Sequence, residues 1–73
     1  MTAGEIRGAR RRLMRQEKGW SRLALATAAG VGSGTVLRAE IGGDVKLSTL
    51  ESLADALGVP VVSYLDPPVP VLS

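Results

Sequence analysis

The side chains that could do chemistry in this chain are mainly arginines, and they are concentrated in the first third of the sequence. Residues 1–22 carry seven basic and two acidic side chains, a net charge of +5. Residues 23–73 carry two basic and five acidic side chains, a net charge of −3. A small domain with one basic end can be oriented on a polyanion such as nucleic acid. The alternative is an ordinary solvated surface that happens to contain one arginine-rich helix.

The usual residues of catalysis and metal binding are missing from this sequence. It has no histidine and no cysteine, which removes the common general bases, thiol nucleophiles and zinc ligands. The carboxylates occur singly, with no paired arrangement for acid–base work. Residues 29–36, AGVGSGTV, resemble a phosphate-binding loop, but no predicted strand precedes them and no Gly-Lys-Ser/Thr follows. We therefore expect no enzyme, no bound metal and no cofactor.

The elements that must position the charged residues are predicted to be helices. Apolar residues recur at intervals of three and four along the chain, and serine, glycine and proline interrupt this pattern. The predicted class is therefore all-α. Five helices without a sheet are expected, near residues 4–18, 22–29, 33–41, 48–57 and 61–65.

Several helix ends can be assigned from single residues. Ser21 is the predicted N-cap of the second helix, because its side-chain oxygen can accept a bond from a free backbone N–H. Gly30 ends that helix and Gly58 ends the fourth, because glycine adopts the left-handed conformation without a Cβ penalty. Ser48 and Glu51 form a Ser-x-x-Glu capping box that is predicted to open the fourth helix.

The first predicted helix is amphipathic. Ile6, Ala9 and Leu13 share one face at helical spacing and are predicted to meet the core. A stripe of cations lies on nearly the opposite face, at offsets of four, four and three residues. This stripe consists of Arg7, Arg11, Arg15 and Lys18.

Residues 21–42 resemble the helix-turn-helix of the phage-repressor-like family (Cro/C1-type, Xre). The positions that carry the resemblance are Ser21, Leu25, Ala26, Gly30, Val31, Thr35, Val36, Arg38, Glu40 and Gly42. A second block, LSTLESLADALGV at residues 47–59, is similar to the helix that follows the motif in that family. The resemblance implies a five-helix lambda-repressor-like domain over residues 1–66, followed by an extended, proline-containing tail over residues 67–73.

The resemblance also implies a function, that of a sequence-specific transcriptional regulator of double-stranded DNA, most simply a small phage or bacterial repressor. In such a motif the second of the two short helices enters the major groove with its N-terminal residues facing base edges. The residues that would face the bases are Ser33, Gly34, Thr35, Leu37 and Arg38. The residues that would meet phosphate are Ser21, Arg22, Arg10, Arg11 and Lys46. Among the base-facing residues, Arg38 is the long donor that could form two parallel hydrogen bonds with a guanine.

A protein-interaction module on the same fold is the alternative function, either the antitoxin of a toxin–antitoxin pair or a phage factor that binds a host protein. Leu23 and Leu37 occupy places that are commonly polar in this family. Leu37 could touch a thymine methyl group, or both leucines could belong to a protein-binding patch. A basic face on the third helix favours DNA, and an apolar one favours protein.

Two further structural expectations follow from the resemblance. The family pairs an arginine of its first helix with the glutamate of its Glu-x-Gly, which implies an ion pair between Arg15 and Glu40. The family's apolar positions in that helix fall on Arg11 and Met14, and only Met14 fits. Either the turn after the first helix differs in length, or Arg11 lays its methylenes on the core.

The expected assembly is a homodimer in the cytoplasm. The family usually binds DNA as two-fold dimers. The candidate surface here is the fifth helix and the tail, with Val62, Tyr64, Val69, Val71 and Leu72. No run of 18 apolar residues and no signal-peptide pattern is present, so no membrane partner is expected.

Overall fold

The computed structural model describes residues 2–65, and all regular elements in that range are α-helices. The all-α class and the number of helices are thus confirmed, and every helix boundary falls within one residue of its prediction. The predicted tail, residues 67–73, lies outside the described residues. The helices are α1 (Ala3–Glu17), α2 (Arg22–Ala29), α3 (Ser33–Glu40), α4 (Leu47–Leu57) and α5 (Val61–Leu65).

The ends of α2 follow the sequence pattern. The Ser21 hydroxyl oxygen accepts a bond of 3.0 Å from the backbone N–H of Ala24. Gly30 ends the helix with φ +73°, a left-handed conformation that is unfavourable for residues with a Cβ atom. The turn that follows is therefore short and fixed, and α3 begins three residues later.

The capping box predicted at the start of α4 is wrong. Lys46 is the N-cap and α4 begins at Leu47, so Ser48 already has helical backbone and makes no capping bond. A capping box instead opens α1, where Thr2 and Glu5 bond each other's backbone N–H groups. Ser48 lies two residues after the N-cap position, so the Ser-x-x-Glu pattern comes too late to form a capping box at this helix start.

The core lies where α2, α3, α4 and α5 converge. Its largest fully buried side chains are Leu25, Val36, Leu53 and Tyr64. Tyr64 was predicted at a dimer surface, and this is wrong because its ring fills the centre of the core beneath α4. Of the other residues predicted at that surface, Val62 is exposed, and the remaining three lie outside the described residues.

The core-facing side of α1 differs from the prediction. Ile6 is 36% and Leu13 is 48% exposed, and neither packs against the core. The buried residues of α1 are Gly8, Arg11 and Arg15. The guanidinium groups of Arg11 and Arg15 donate to acceptors on other helices. The side of α1 that carries these arginines therefore faces inward, and the side that carries Ile6 and Leu13 does not. Met14 packs against the core as the family pattern implies.

Two glycines of α1 let the chain after α3 approach its backbone. A Cβ atom added to Gly8 would lie 2.5 Å from the carbonyl oxygen of Glu40. Gly4 lies against Gly42, whose φ of +80° turns the chain away from α3. The spacing Gly4-x-x-x-Gly8 places both glycines on one side of the helix, so this close approach has a local signal in the sequence.

We expect Gly8→Ala to destabilise the fold by about 1–3 kcal/mol, because the new methyl group would overlap backbone atoms that cannot rotate away. Thermal and urea unfolding measure the change. Gly34→Ala is the matched control, since no heavy atom lies within 4 Å of a Cβ placed there. It should leave stability unchanged or raise it by up to ~1 kcal/mol, because alanine is the better helix former. Equal melting temperatures for the two variants would contradict the close contact.

Candidate nucleic-acid interface

The third helix is fastened to the first by a buried ion pair. Arg15 donates from Nε to Glu40 Oε2 at 2.6 Å and from Nη2 to Glu40 Oε1 at 2.9 Å. Its Nη1 donates to the carbonyl of Trp20 at 2.7 Å. The hydrogen bond to Glu40 raises the pKa of Arg15, although burial of the guanidinium acts in the opposite direction. The two-bond geometry fixes both the position and the rotation of the end of α3.

The same carboxylate also reaches α2. Arg22, the first residue of that helix, has its Nε 3.4 Å from Glu40 Oε1. About half of the Arg22 side chain remains exposed, whereas that of Glu40 is buried. A long, partly solvated contact of this kind contributes little stability. Arg22 is thus held near the start of α2 and is still available to an anion in solution.

Arg11 is buried, and its predicted contact with phosphate is wrong. Its Nε and Nη2 donate to the carbonyls of Tyr64 and Leu65, at 2.8 and 3.1 Å. Its Nη1 donates to the carbonyl of Ala39 at 3.1 Å. These carbonyls belong to the C-terminal ends of α5 and α3, where the helix dipole favours a cation. Burial lowers the pKa of Arg11.

This arrangement also decides the register of α1. The turn after α1 does not shift the register of the helix. Arg11 itself occupies the core position that is usually apolar in the family. Its guanidinium lies 5.2 Å from the centroid of the Tyr64 ring, so the whole side chain, and not only its methylenes, is inside the domain.

The outer side of α3 is open to solvent and is flanked by two shallow depressions. Ser33, Gly34, Leu37 and Arg38 are exposed, and Thr35 is half-buried. The first depression brings the start of α3 together with the start of α2; its residues are Arg12, Arg15, Gln16, Ser21, Arg22, Leu23, Ser33, Gly34 and Leu37. The second lies between α3 and the start of α4; its residues are Thr35, Arg38, Asp44, Val45, Lys46 and Thr49.

The structure therefore groups most of the predicted site residues, but not all of them. The predicted base-facing residues line these two depressions, together with Ser21, Arg22 and Lys46 from the predicted phosphate set. Arg10 is half-buried on α1 and belongs to neither depression. Arg12 and Thr49 do belong to them and were not predicted, because no local pattern shows which side of α1 or α4 meets α3.

Gly43 is a further residue whose role the sequence did not reveal. A Cβ atom placed on it would lie 2.7 Å from Cγ of Arg38. Its backbone N–H donates to the carbonyl of Arg38 at 2.9 Å. The methylenes of Arg38 thus rest on the bare backbone of the turn, which directs the side chain toward the depression shared with α4.

A family model described as helix-turn-helix matches residues 12–63. The chain belongs to this helix-turn-helix family. The family is of the Cro/C1 type, its members bind DNA as regulators, and enzymatic activity is not typical of them. The match covers the last turns of α1 and continues into α5, with the motif itself at α2 and α3. No curated protein and no solved structure matches the chain.

No helix within residues 2–65 is long and apolar enough to cross a membrane. Within the same residues, no three acidic side chains come together in a way that could hold a metal ion.

Glu40→Ala should lower the free energy of unfolding by about 3 kcal/mol or more, because it leaves the buried Arg15 guanidinium without its carboxylate. Chemical denaturation followed by circular dichroism gives the value. Glu51→Ala, which removes an exposed carboxylate from α4, is the control and should stay within about 0.5 kcal/mol of wild type. A loss of similar size in both variants would mean that the Arg15–Glu40 pair behaves as a surface pair.

Proposed function

We propose that this protein is a sequence-specific transcriptional regulator, a small repressor of phage or bacterial type, that reads double-stranded DNA with the outer side of α3. The observation that carries the proposal is the exposed start of α3 with basic side chains in the depression on each side of it, Arg12 and Arg22 on one side and Lys46 on the other. Cations on both sides of a groove-reading helix are where the two phosphate backbones would lie. In this arrangement α3 reads the bases, and the basic residues beside it position the protein on the phosphate backbone.

Arg38 is the proposed reader of a guanine. It is exposed, its guanidinium can donate two parallel bonds to guanine O6 and N7, and Gly43 holds its methylenes in place. Ser33 and Gly34 are small, so the backbone of α3 can approach the base edges closely at its start. Thr35 is half-buried and would contact DNA at the margin of the helix.

Arg22, Ser21 and Lys46 are the proposed phosphate ligands. Arg22 and Ser21 lie at the start of α2, where free backbone N–H groups already favour an anion. The Ser21 hydroxyl accepts its capping bond from Ala24 and keeps its own proton to donate. Lys46 lies at the start of α4 on the other side of α3, and Arg10 is a more distant candidate.

The protein-interaction alternative rests on the two leucines beside the start of α3. Leu23 and Leu37 are both exposed and line the same depression. That depression also contains Arg12 and Arg22, so it is neither purely apolar nor purely basic. An antitoxin or a phage factor that binds a host protein would use this apolar part, and it would bind its partner protein without preferring any DNA sequence.

Replacing Arg22 or Arg38 separates the two DNA roles. Arg22→Ala should weaken binding to all duplexes alike and reduce the salt slope of log K by about one unit, because phosphate carries no sequence information. Arg38→Ala should cost about 1–3 kcal/mol on a selected duplex and little on a scrambled one. Arg38→Lys is the matched control, since it keeps the charge and loses the fork, so it too should lose sequence preference.

The measurement is a fluorescence titration of a duplex selected from a random pool, with its scrambled version, at several salt concentrations. Equal losses on both duplexes for Arg38→Ala would make Arg38 a phosphate contact and leave base reading to Ser33, Thr35 and Leu37. If the pool yields no preferred sequence and neither variant changes binding, the protein-interaction function replaces the regulator.

A further inference from the structure

The first helix carries an apolar surface that residues 2–65 cover only in part. Ile6, Ala9 and Leu13 follow one another at offsets of three and four residues, and they do not pack against the core. Ile41, which follows α3 and is 62% exposed, lines one shallow depression together with Ala9. We name these four residues the α1 stripe. Single exposed aliphatic residues are common on proteins, but a contiguous helical stripe is typical of an interface.

Within α1, the residues of the stripe lie away from the arginines that fix the helix in the domain. Successive residues of an α-helix are rotated by about 100°, which places Ile6 and Leu13 roughly opposite Arg11 and Arg15. Since those arginines are anchored to α3 and α5, α1 cannot turn its stripe inward without breaking their hydrogen bonds. The exposure of the stripe is therefore a fixed property of the fold.

On the side of the stripe that faces Ile41, α1 carries one charge of each sign. Glu5 and Arg12 line the depression that contains Ala9 and Ile41, and each directly precedes one aliphatic residue of the stripe in the sequence. If two α1 helices cross antiparallel near Ala9, Ile6 faces Leu13 of the second copy, and Glu5 faces Arg12 of the second copy. A two-fold axis then repeats each contact. Arg12 has no ion-pair partner among the described residues and is free for this role.

We propose that the α1 stripe is the contact between two copies of this chain, with their α1 helices packed antiparallel across a two-fold axis. The small side chain of Ala9 allows the helices to approach at the crossing point. The surface is smaller than the roughly 800 Å² per partner of a standard interface, so association is weak in solution. Two copies held on neighbouring DNA sites would be at a high effective concentration, and the same contact would then make their binding cooperative.

Sedimentation of the full chain without DNA, at concentrations up to about 1 mM, tests the contact. Leu13→Glu and Ile41→Glu should weaken self-association roughly tenfold or more, because each places a carboxylate in an apolar contact. Val62→Glu is the matched control, since Val62 on α5 is equally apolar and 69% exposed. It should leave association unchanged. Circular dichroism of each variant shows that the fold is retained.

A charge exchange tests the orientation. Arg12→Glu should weaken association, because it places two carboxylates face to face, and the double variant Glu5→Arg with Arg12→Glu should restore it. Failure of the double variant to restore association would overturn the antiparallel register. A protein that stays monomeric throughout, or one whose association is lost in Val62→Glu and kept in Leu13→Glu, would overturn the contact itself.

The tail of the same chain is the other possible occupant. If residues 67–73 covered the stripe, deleting them would change the NMR signals of the Ile6 and Leu13 methyl groups in a monomeric protein. That result would also overturn the proposal. Because all these measurements are made without DNA, their failure would leave the proposed reading of DNA by α3 untouched.

Discussion

The carboxylate of Glu40 is the group on which the arrangement of this domain depends. It lies at the end of α3, receives two bonds from Arg15 on α1, and stands 3.4 Å from Arg22 at the start of α2. A buried carboxylate is costly unless its oxygens are bonded, and here both oxygens are. These contacts hold the three helices together, and the outer side of α3 faces solvent between two depressions that each contain basic side chains.

Arg11 gives α1 a second attachment, and it explains why a helix with aliphatic residues shows them to solvent. Its three bonds end on the last carbonyls of α3 and α5, which would otherwise lack partners in the interior. A guanidinium can serve three acceptors at fixed angles, which a leucine or methionine at this position could not do. These bonds join three helices at fixed positions. They also leave the α1 stripe exposed to solvent.

The parts of this fold that the sequence predicted are those set by neighbouring residues. Ser21 and Gly30 act through bonds within their own helix, so their roles could be assigned from the chain alone. The inward face of α1 could not, because the acceptors of Arg11 are 28 to 54 residues away and appear only after the chain has folded. The start of α3 was predicted through the family motif, whereas the contributions of Arg12 and Gly43 depend on packing between helices.

We propose that this protein meets DNA with the outer side of α3, between the starts of α2 and α4. The most direct measurement is an NMR titration of the ¹⁵N-labelled protein with a short DNA duplex at low salt. We expect the backbone signals of residues 21–23, 33–38 and 46–49 to move together, while those of Ile6 and Val62 stay in place. Shifts confined to the α1 stripe or to α5, or no shifts at any concentration of duplex, would contradict it.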